Sequence, residues 1–475
     1  MTNLKRWGRR LVVLLALGAL ALAGAHGAIR WAGRMTPPPV ELGSGEVQRV
    51  DARLQRLGPS YLRRRGALLE IGLSGDPVAV GAAHARLARA EREHIEGVML
   101  ERFRQQVSSP LAGLVLLDLA QLRYRKLDAH LGNAQRFELA AEALAAQPDP
   151  YADVFPTYQR LVYLNALYDI GLSFEHSPLL GCTSFTFDAT AASDGPLLAR
   201  AFDFEIDEIF DRSKAVFLVR EAGHIPFASV AWPGLVGVVS GMNLAGVAAV
   251  AHGARAGRPQ AQGEPMLNGL RRVLATTRTT DEAIAALSER DVMVSHIVIV
   301  MDATGRGAAV ERVPRTAQHV RWLGPRAVVT NHFEGPAASD PKNQRVRAET
   351  STRPRRERGE ELLRGLAGPV SPADAVRLLR DRRGPGDTEL PLGDRRAIDA
   401  LIATHGVVMN TKSRVVWVSE SPHLLGRFVA FDLERLLAPD YDPASDHASL
   451  RALPADPLLT SGRYEQWRAS TVHAP

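Results

Sequence analysis

Cys182, the one cysteine of this 475-residue chain, carries the side chain with the most distinctive chemistry. It follows Gly181 and precedes the residues Thr-Ser-Phe. A lone thiol forms neither an intramolecular disulfide nor a cysteine-cluster metal site. It is therefore a small buried residue, an incidental surface thiol or a catalytic nucleophile, and free cysteines are most often the first of these.

Two short polar motifs and two asparagines follow Cys182 in the chain. In the run Arg-Ala-Phe-Asp at residues 200–203, Arg200 and Asp203 point to opposite faces if the run is extended. A turn or a bulge would bring these two side chains together. Asn243 lies at a turn that enters one predicted strand, and Asn331 follows the end of another. Taken singly, asparagines at such places are typical turn residues, and an Arg–Asp pair is typical of a protein surface.

Histidines offer a different route to an active thiol, as in papain-like proteases. The candidate bases are His252, His296, His332 and His405. That arrangement needs no cleavage before the cysteine, but no local signature of such proteases surrounds Cys182. His252 and His332 are also candidates for the lining of a pocket, or for ordinary strand ends. A third interpretation is a binding domain without catalytic activity. A reactive, exposed thiol would favour either enzyme interpretation over this one.

Composition excludes several classes of protein. Apolar residues make up 45% of the chain and charged residues 23%, as in a globular protein with a large core. The net charge of +6 comes from scattered arginines without a nucleic-acid-binding motif, so we expect no nucleic-acid partner. The fourteen histidines lack metal-ligand spacing, and no glycine-rich phosphate loop follows a predicted strand. We therefore expect no metal and no cofactor.

The first 34 residues have the features of a membrane-targeting segment. Basic residues precede an apolar run at residues 11–25, and that order keeps the amino end in the cytoplasm and the body of the protein outside it. Ala23 and Ala25 also fit a signal cleavage site. We expect an inner-membrane anchor with the catalytic domain on the periplasmic side, or else export after cleavage. Residues 35–49 form a linker rich in proline and glycine.

Hydrophobic periodicity divides the rest of the chain into two main parts. Residues 50–181 show helical spacing, with one strand-like stretch at 66–73 and one long helix at 78–107. Residues 182–440 are rich in strands and residues 441–475 form a tail. Strands, then helices, then strands predict an α+β domain of antiparallel sheets covered by helices. The predicted strands are residues 215–219, 227–231, 247–251, 297–301, 327–329, 407–409, 415–418 and 428–431.

The order of the motifs resembles the cysteine branch of the N-terminal-nucleophile (Ntn) hydrolases. They are Gly-Cys-Thr-Ser-Phe from Gly181, Arg-x-x-Asp at 200–203, Gly-Met-Asn ending at Asn243, Val-Thr-Asn-His ending at His332, and Ser-Thr-Arg ending at Arg353. More narrowly, residues 66–433 resemble the acyl-coenzyme A:6-aminopenicillanate acyltransferase family, which is related to acid ceramidase-like amidases and choloylglycine hydrolases. Ala201 departs from the family, where asparagine or threonine is common, and we expect it to tune the pocket.

The resemblance implies a four-layer αββα sandwich and a self-cleaving chain. Residues 50–181 would be a pro-segment, or α chain, that stays associated with the core after cleavage between Gly181 and Cys182. Glycine suits such a site because it has no side chain to block the approach of the thiol. Cleavage would free the α-amine of Cys182, and a free α-amine, with a reference pKa of about 7.7 to 8.0, can take the thiol's proton.

The family's functional residues fall on five further positions of this sequence. By this resemblance Asp203 would hold the α-amine and Arg200 would stabilise the thiolate. Asn243 and Asn331 would donate hydrogen bonds to the oxyanion, and Arg353 would add positive charge.

The implied reaction is attack on an amide or ester carbonyl of an N-acyl substrate through a thioester on Cys182. We expect hydrolysis rather than acyl transfer. The membrane segment and the apolar run at residues 236–239 favour a fatty acyl group.

Overall fold

The computed structural model describes residues 2–107, 109–174, 181–205, 207–446, 449 and 451–472. Its α-helices are α1 (Thr2–Ala32), α2 (Pro77–Leu87), α3 (Arg89–Gln106), α4 (Pro110–Tyr124), α5 (Asn133–Ala145), α6 (Thr157–Asn165), α7 (Leu167–Leu172), α8 (Ile209–Arg212), α9 (Met266–Thr276), α10 (Thr280–Ser288), α11 (Pro341–Glu349), α12 (Thr352–Arg364), α13 (Pro372–Leu379), α14 (Leu433–Leu436), α15 (Pro457–Thr460) and α16 (Arg463–Val472).

The strands of the described residues form two sheets. They are β1 (Gln48–Arg49), β2 (Leu54–Leu57), β3 (Ser60–Arg65), β4 (Leu68–Gly75), β5 (Gly181–Phe187), β6 (Leu197–Asp203), β7 (Ala215–Glu221), β8 (Phe227–Ala231), β9 (Ser240–Asn243), β10 (Ala248–Gly253), β11 (His296–Met301), β12 (Gly307–Arg312), β13 (His319–Trp322), β14 (Arg326–Val329), β15 (Ala403–Asn410), β16 (Val415–Ser419), β17 (Phe428–Asp432) and β18 (Ala452–Leu453). The large sheet has the order β1-β2-β3-β4-β7-β8-β9-β10-β11-β12-β13, and the small sheet has the order β14-β5-β6-β15-β16-β17-β18.

The two sheets lie face to face between layers of helices. Alternate residues of each strand point to opposite faces, and one core fills the space between the sheets, with Val250 and Ile299 from the large sheet and Leu198 and Val407 from the small one. Helices α2, α5, α9 and α10 share a second core with the outer face of the large sheet. Helix α13 and part of α12 cover the outer face of the small sheet. The predicted αββα sandwich is confirmed.

The segment before Cys182 contributes more to the sheets than its helical pattern indicates. Four strands, β1 to β4, extend the large sheet, whereas one strand was expected there. β4 pairs with β7 in parallel, so the large sheet is not purely antiparallel. The expected single helix at residues 78–107 is two helices, α2 and α3, which meet at Ala88. The tertiary contacts of short strands override the local pattern.

All eight predicted strands of the β-rich part are present, and β8 coincides with its predicted residues. β5, β6, β9, β12 and β13 were not among the predicted strands. Glycine occupies the interior of β9 and the first position of β12, and both features weaken a strand pattern. The expected tail after residue 440 is partly folded, because Leu458 and Tyr464 pack against Leu401 and Leu425.

Helix α1 is the one described helix that is long and apolar enough to cross a membrane, over residues 6–32. The last turns of α1 contact α4. His26 Nδ1 lies 2.8 Å from Asp118 Oδ2, and Gln121 Nε2 donates to the carbonyl oxygen of Arg30 at 3.3 Å. The apolar segment expected from the sequence is therefore a continuous helix whose last turns contact α4.

Candidate active site

The pairing of β5 with β6 positions the thiol. Cys182 lies directly opposite Phe202, and Ser184 lies opposite Arg200. Residues that face each other across an antiparallel pair share one side of the sheet, so Arg200 is a diagonal neighbour of Cys182 on the side that faces the large sheet. Both side chains are fully buried.

Arg200 is fixed by groups of the large sheet and its loops. One terminal nitrogen, Nη1, donates to Val239 O at 3.0 Å and to Ser240 Oγ at 2.6 Å. The other, Nη2, donates to Ala251 O at 2.5 Å and to Cys182 Sγ at 3.3 Å. The guanidinium thus holds a full positive charge against the sulfur from a position that it cannot easily leave.

The backbone of Cys182 is held by two further side chains. Its amide nitrogen donates to Asn331 Oδ1 at 2.7 Å. Arg355 Nη1 donates to the carbonyl oxygen of Cys182 at 2.6 Å and to Thr183 Oγ1 at 2.8 Å, and its Nη2 donates to Asn331 Oδ1 at 2.9 Å. Asn331 Nδ2 donates to Gly253 O at 2.9 Å. Asn331 and Arg355 therefore form one network around the peptide of Cys182.

Asp203 lies across from Gly181 in the same strand pair. A Cβ atom at position 181 would come within 2.5 Å of Asp203 Oδ2, so a residue other than glycine does not fit there without a shift. The other oxygen, Oδ1, is buried and has no hydrogen-bond partner among the described residues. Burial raises the pKa of Asp203 to about 6, although the nearby charge of Arg355 lowers that pKa.

Arg200 and Asp203 lie beside Cys182 and Gly181, respectively, without the turn or bulge that the sequence indicated. Both lie in the regular strand β6, on opposite faces. Arg200 reaches the sulfur on the inner face. Asp203 reaches the peptide before the cysteine, because Gly181 has no side chain to keep the carboxylate away.

Asn243 is not free to act as an oxyanion donor, and that expectation is wrong. Its Nδ2 donates to Leu274 O and to Thr277 O, both at 2.8 Å, and its Oδ1 accepts from the Val247 amide at 2.9 Å. An amide nitrogen has two hydrogens, and both are used. Asn243 instead closes the turn between β9 and β10, as asparagine commonly does.

Arg353 is not at the site either. Its side chain is 64% exposed and pairs with Glu357 on the surface of α12. Two residues along a helix are about 200° apart around its axis, so Arg355 faces inward while Arg353 faces solvent. The sequence does contain a signal for the inward face, since Thr352, Arg355 and Gly359 recur at helical spacing and are buried.

The four histidines form hydrogen bonds away from the sulfur. His252 Nε2 lies 2.7 Å from Ser184 Oγ, and His405 Nε2 lies 3.0 Å from Ser240 Oγ. Burial lowers the pKa of both well below the ordinary value. His296 and His332 bond to Val294 O and to the hydroxyl of Thr352, respectively, and burial lowers their pKa values to about 3 and about 4.

None of the three candidate pocket residues lines the apolar cavity next to Phe202, and one of them, His252, bonds to a residue on the same face of β5 as Cys182. His252 faces the inner side of β5 beside Ser184. His332 bonds to the hydroxyls of Thr330 and Thr352. Ala201 lies on the outer face of β6, where it packs in the core beneath α13. The expectation that Ala201 tunes the pocket is therefore wrong, because its side chain and that of Cys182 are on opposite faces of the small sheet.

An apolar cavity adjoins Phe202, the residue that lies opposite Cys182; its empty space, including the part open to solvent, is about 620 Å³. Phe202, which is opposite Cys182, forms part of its wall together with Val239, whose carbonyl holds Arg200. Most of the remaining wall comes from the segment before Cys182 and from the loop around Trp232. These residues are Ile95, Glu96, Met99, Leu164, Leu167, Tyr168, Phe204, Phe210, Trp232, Pro233, Gly234, Leu235 and Leu267.

Tyr168 in α7 is a residue of this cavity that the sequence patterns did not reveal. Its ring stacks on Phe202, with the ring centroids 6.1 Å apart. Its hydroxyl is buried, would lie 3.1 Å from a Cβ at Gly253 and donates no hydrogen bond to the described residues, although the backbone amide of Gly253 lies close enough to lower its pKa. Burial, and then the Coulombic interaction with Cys182, raises the pKa of Tyr168 well above its ordinary value. The hydroxyl is thus a protonated donor at neutral pH.

No cluster of three or more histidine, cysteine, aspartate or glutamate side chains with the arrangement of a metal site is found in the part of the chain that the structure describes. The site consists of a thiol, two buried arginines, a carboxylate, an amide and a phenol.

Comparison with protein families gives a match over residues 190–390, to the model described as acyl-coenzyme A:6-aminopenicillanic acid acyl-transferase. Over these residues the match confirms the resemblance that the motifs predicted, to an acyltransferase family, and with it the expectation of an enzyme; Cys182 lies outside the matched residues. No curated protein matches the chain.

Several solved structures resemble this one distantly. The Caenorhabditis elegans N-acylethanolamine-hydrolyzing acid amidase ortholog is 18% identical, over 49% of this chain and 93% of that one, with a TM-score of 0.37. Penicillin V acylase from Agrobacterium tumefaciens is 18% identical, over 58% and 99%, with a TM-score of 0.33. A mutant of conjugated bile acid hydrolase from Clostridium perfringens is 11% identical, over 58% and 97%, with a TM-score of 0.38.

Arg355 and Arg353 offer a matched test of the site. In a Cys182→Ala background, we expect Arg355→Gln to lower the free energy of unfolding by about 3–5 kcal/mol, because it leaves three buried acceptors and the nearby Asp203 carboxylate without their cation. Arg353→Gln should change that free energy by less than about 0.5 kcal/mol, as surface substitutions do. Denaturant titration of the three proteins measures both effects, and equal losses for the two arginines would contradict the assignment.

The pH dependence of Asp203 can be measured in the same background. The folded-state pKa of about 6 exceeds the ordinary value of 3.8, so the folded chain binds the proton more tightly than the unfolded chain does. The contribution of this carboxyl to stability is therefore present below pH 4 and is lost as the pH rises through 6. Relative to Cys182→Ala/Asp203→Asn, the unfolding free energy of Cys182→Ala should fall by about 2–3 kcal/mol between pH 4 and pH 7. A difference that does not vary with pH would mean that Asp203 ionises normally.

Proposed function

We propose that this chain, whose residues 190–390 match the model of the acyl-coenzyme A:6-aminopenicillanic acid acyl-transferase family, is an enzyme. Specifically, it is a self-processing cysteine amidohydrolase. Cys182 is its nucleophile, and it acts on N-acyl amides or esters with a fatty acyl group. The observation that carries this proposal is the buried, unpartnered Oδ1 of Asp203 beside the Gly181–Cys182 peptide. A buried acceptor without a donor is costly, and an ammonium group released from that peptide would supply one.

Self-cleavage begins with attack of Cys182 Sγ on the carbonyl carbon of Gly181. The carbon–nitrogen bond breaks, the acyl group moves to sulfur, and the amide nitrogen takes up a proton to become an amine. Water then hydrolyses the thioester and leaves the carboxylate of Gly181 and the free thiol of Cys182. The small volume of Gly181 is what allows Asp203 to lie against the bond that is cut.

In the mature enzyme, the α-amine of Cys182 acts as the base for its own thiol. Asp203 holds the amine in place, and Arg200, already 3.3 Å from the sulfur, stabilises the thiolate. Arg355 acts as a positioning residue, because it fixes the carbonyl oxygen of Cys182 and the side chain of Asn331. No histidine is required, and none of the four candidate histidines forms a hydrogen bond to the sulfur in the described residues.

The oxyanion of the substrate receives two donors. Asn331 Nδ2 uses one hydrogen for Gly253 O and retains a second. The hydroxyl of Tyr168, which also lies near Gly253, is the second donor. Tyr168 thereby takes the part that the sequence had assigned to Asn243. Because Tyr168 precedes Cys182, the pro-segment has to remain bound to the core after cleavage for the site to be complete.

The cavity supports an acyl substrate. Its wall is almost wholly aliphatic and aromatic, and Glu96, the charged residue among its lining, is paired with Arg92 and Arg160. The acyl chain fills this space and the carbonyl carbon meets the sulfur. Attack forms a thioester on Cys182 and expels the amine, and water then releases the fatty acid. Helix α1 acts as an anchor that holds the enzyme at the outer face of the inner membrane.

A panel of N-acyl amides from short to long chains tests this function. Because each buried CH₂ contributes about 0.8 kcal/mol, kcat/KM should rise by about fourfold per methylene until the cavity is full. Cys182→Ala should release no fatty acid, and mass spectrometry of the quenched wild type should detect an acyl group on the mature chain that begins at Cys182. Turnover by Cys182→Ala, or a rate that is independent of chain length, would contradict the proposal.

Tyr168→Phe tests the second oxyanion donor. Loss of one such donor should lower kcat by about 10²- to 10³-fold with little change in KM, because the hydrogen bond strengthens only as charge develops on the oxygen. Tyr158→Phe is the matched control, since Tyr158 is also buried but its hydroxyl bonds to Asp128, away from the cavity. Equal kinetics for the wild type and Tyr168→Phe, with both proteins fully processed, would remove Tyr168 from the mechanism.

A further inference from the structure

Helix α4 presents an apolar face that no other described part of the chain covers. We call this the α4 face; it consists of Leu111, Leu114, Val115, Leu116 and Leu119, whose exposed fractions run from 39% to 57%. Soluble proteins rarely expose a contiguous group of large aliphatic side chains on one helix. The residues of α4 that pack on the protein are Gly113, Asp118, Gln121 and Tyr124, and Asp118 lies at the edge of the apolar face.

Polar and basic side chains flank the α4 face at both ends. Arg104, Gln105 and Gln106 end α3 just before it, and all three are exposed. Arg125 and Lys126 are exposed just after it. Exposed apolar side chains on a helix enter the boundary between the headgroups and acyl chains of a bilayer, and adjacent basic side chains attract anionic lipid. The fifteen residues of α4 are about 22 Å long at 1.5 Å per residue, too short to cross a hydrocarbon core of about 30 Å.

The candidate membrane span adjoins α4. His26 and Arg30, near the end of α1, contact Asp118 and Gln121 of α4. Asp118 is the acidic residue in the middle of α4, and His26 covers it. The remainder of α1 is exposed along its apolar residues. The α4 face is thus continuous with the surface through which the chain would enter a membrane.

We propose that the α4 face lies in the outer leaflet of the bilayer beside α1, so that the chain contacts lipid through two elements and not through its anchor alone. Helix α3 leads directly into α4, and its residues Ile95 and Met99 line the apolar cavity. The cavity therefore lies next to the lipid-bound hairpin of α3 and α4. This inference rests on the function proposed above. With the cavity in this position, the enzyme takes its acyl substrate from the membrane and not from water.

Accessibility of a spin label tests the contact with lipid without any assay of activity. The full chain, with Cys182→Ala and one introduced cysteine, is reconstituted into vesicles of phosphatidylcholine and phosphatidylglycerol. A nitroxide at Leu116→Cys should be relaxed more by oxygen, which concentrates in lipid, than by a water-soluble nickel chelate. A nitroxide at Glu360→Cys, on the exposed side of α12, should show the reverse and serves as the control.

Two outcomes of this experiment would overturn the proposal. A Leu116 label as accessible to the nickel chelate as the Glu360 label would place the α4 face in water. A Leu116 label shielded from both reagents, with its spectrum broadened by a second label, would show that another copy of the chain covers the face.

Kinetics with two kinds of substrate test the delivery of the substrate. Leu119→Glu should lower kcat/KM about tenfold for the longest N-acyl amide presented in vesicles, the change that 1.4 kcal/mol of lost membrane contact produces. It should leave kcat/KM for a short, water-soluble analogue unchanged. Leu144→Glu, which alters an exposed leucine on α5, should change neither value. An equal loss of kcat/KM for both substrates would indicate damage to the fold. No change in kcat/KM for either substrate would exclude delivery from the membrane.

If the wild type turns over none of the substrates, the enzyme proposal is refuted, whereas the spin-label result on the α4 face still holds.

Discussion

The antiparallel pairing of β5 with β6 is the constraint on which the rest of the site depends. Its register places Cys182 beside Arg200 on the inner face of the small sheet and Gly181 against Asp203 on the outer face. A slip of one residue would turn each side chain to the other face. One pair of strands therefore brings a cation to the sulfur and a carboxylate to the peptide that precedes it.

Charge is the second requirement of this arrangement. Two arginines and one aspartate are buried around Cys182, and such charges are tolerated only where partners and hydrogen bonds compensate for lost hydration. Arg200 and Arg355 use backbone carbonyls and hydroxyls for most of this compensation. Asp203 keeps one oxygen without a donor among the described residues. The proposed cleavage supplies an ammonium group at that point, so the uncut chain holds a site that maturation completes.

The sequence predicted the layers of the fold and part of the site, because some features leave local signals in the sequence and others depend on tertiary packing. Strands with β-branched runs were found because alternation and turn residues are local signals. Residue types alone did not show that Asn243 uses both amide hydrogens in a turn, or that Arg355 and not Arg353 faces inward. Tyr168 was missed because its hydroxyl reaches the site through the packing of α7, which no local pattern encodes.

Intact-mass analysis of the purified protein beside Cys182→Ala is the most direct test of the central claim. The account predicts two fragments that meet between Gly181 and Cys182 in the wild type, which co-purify without denaturant, and one uncut chain in the variant. An uncut wild type that still releases fatty acid from an N-acyl amide would contradict the account, because the thiol would then work without the α-amine that cleavage provides.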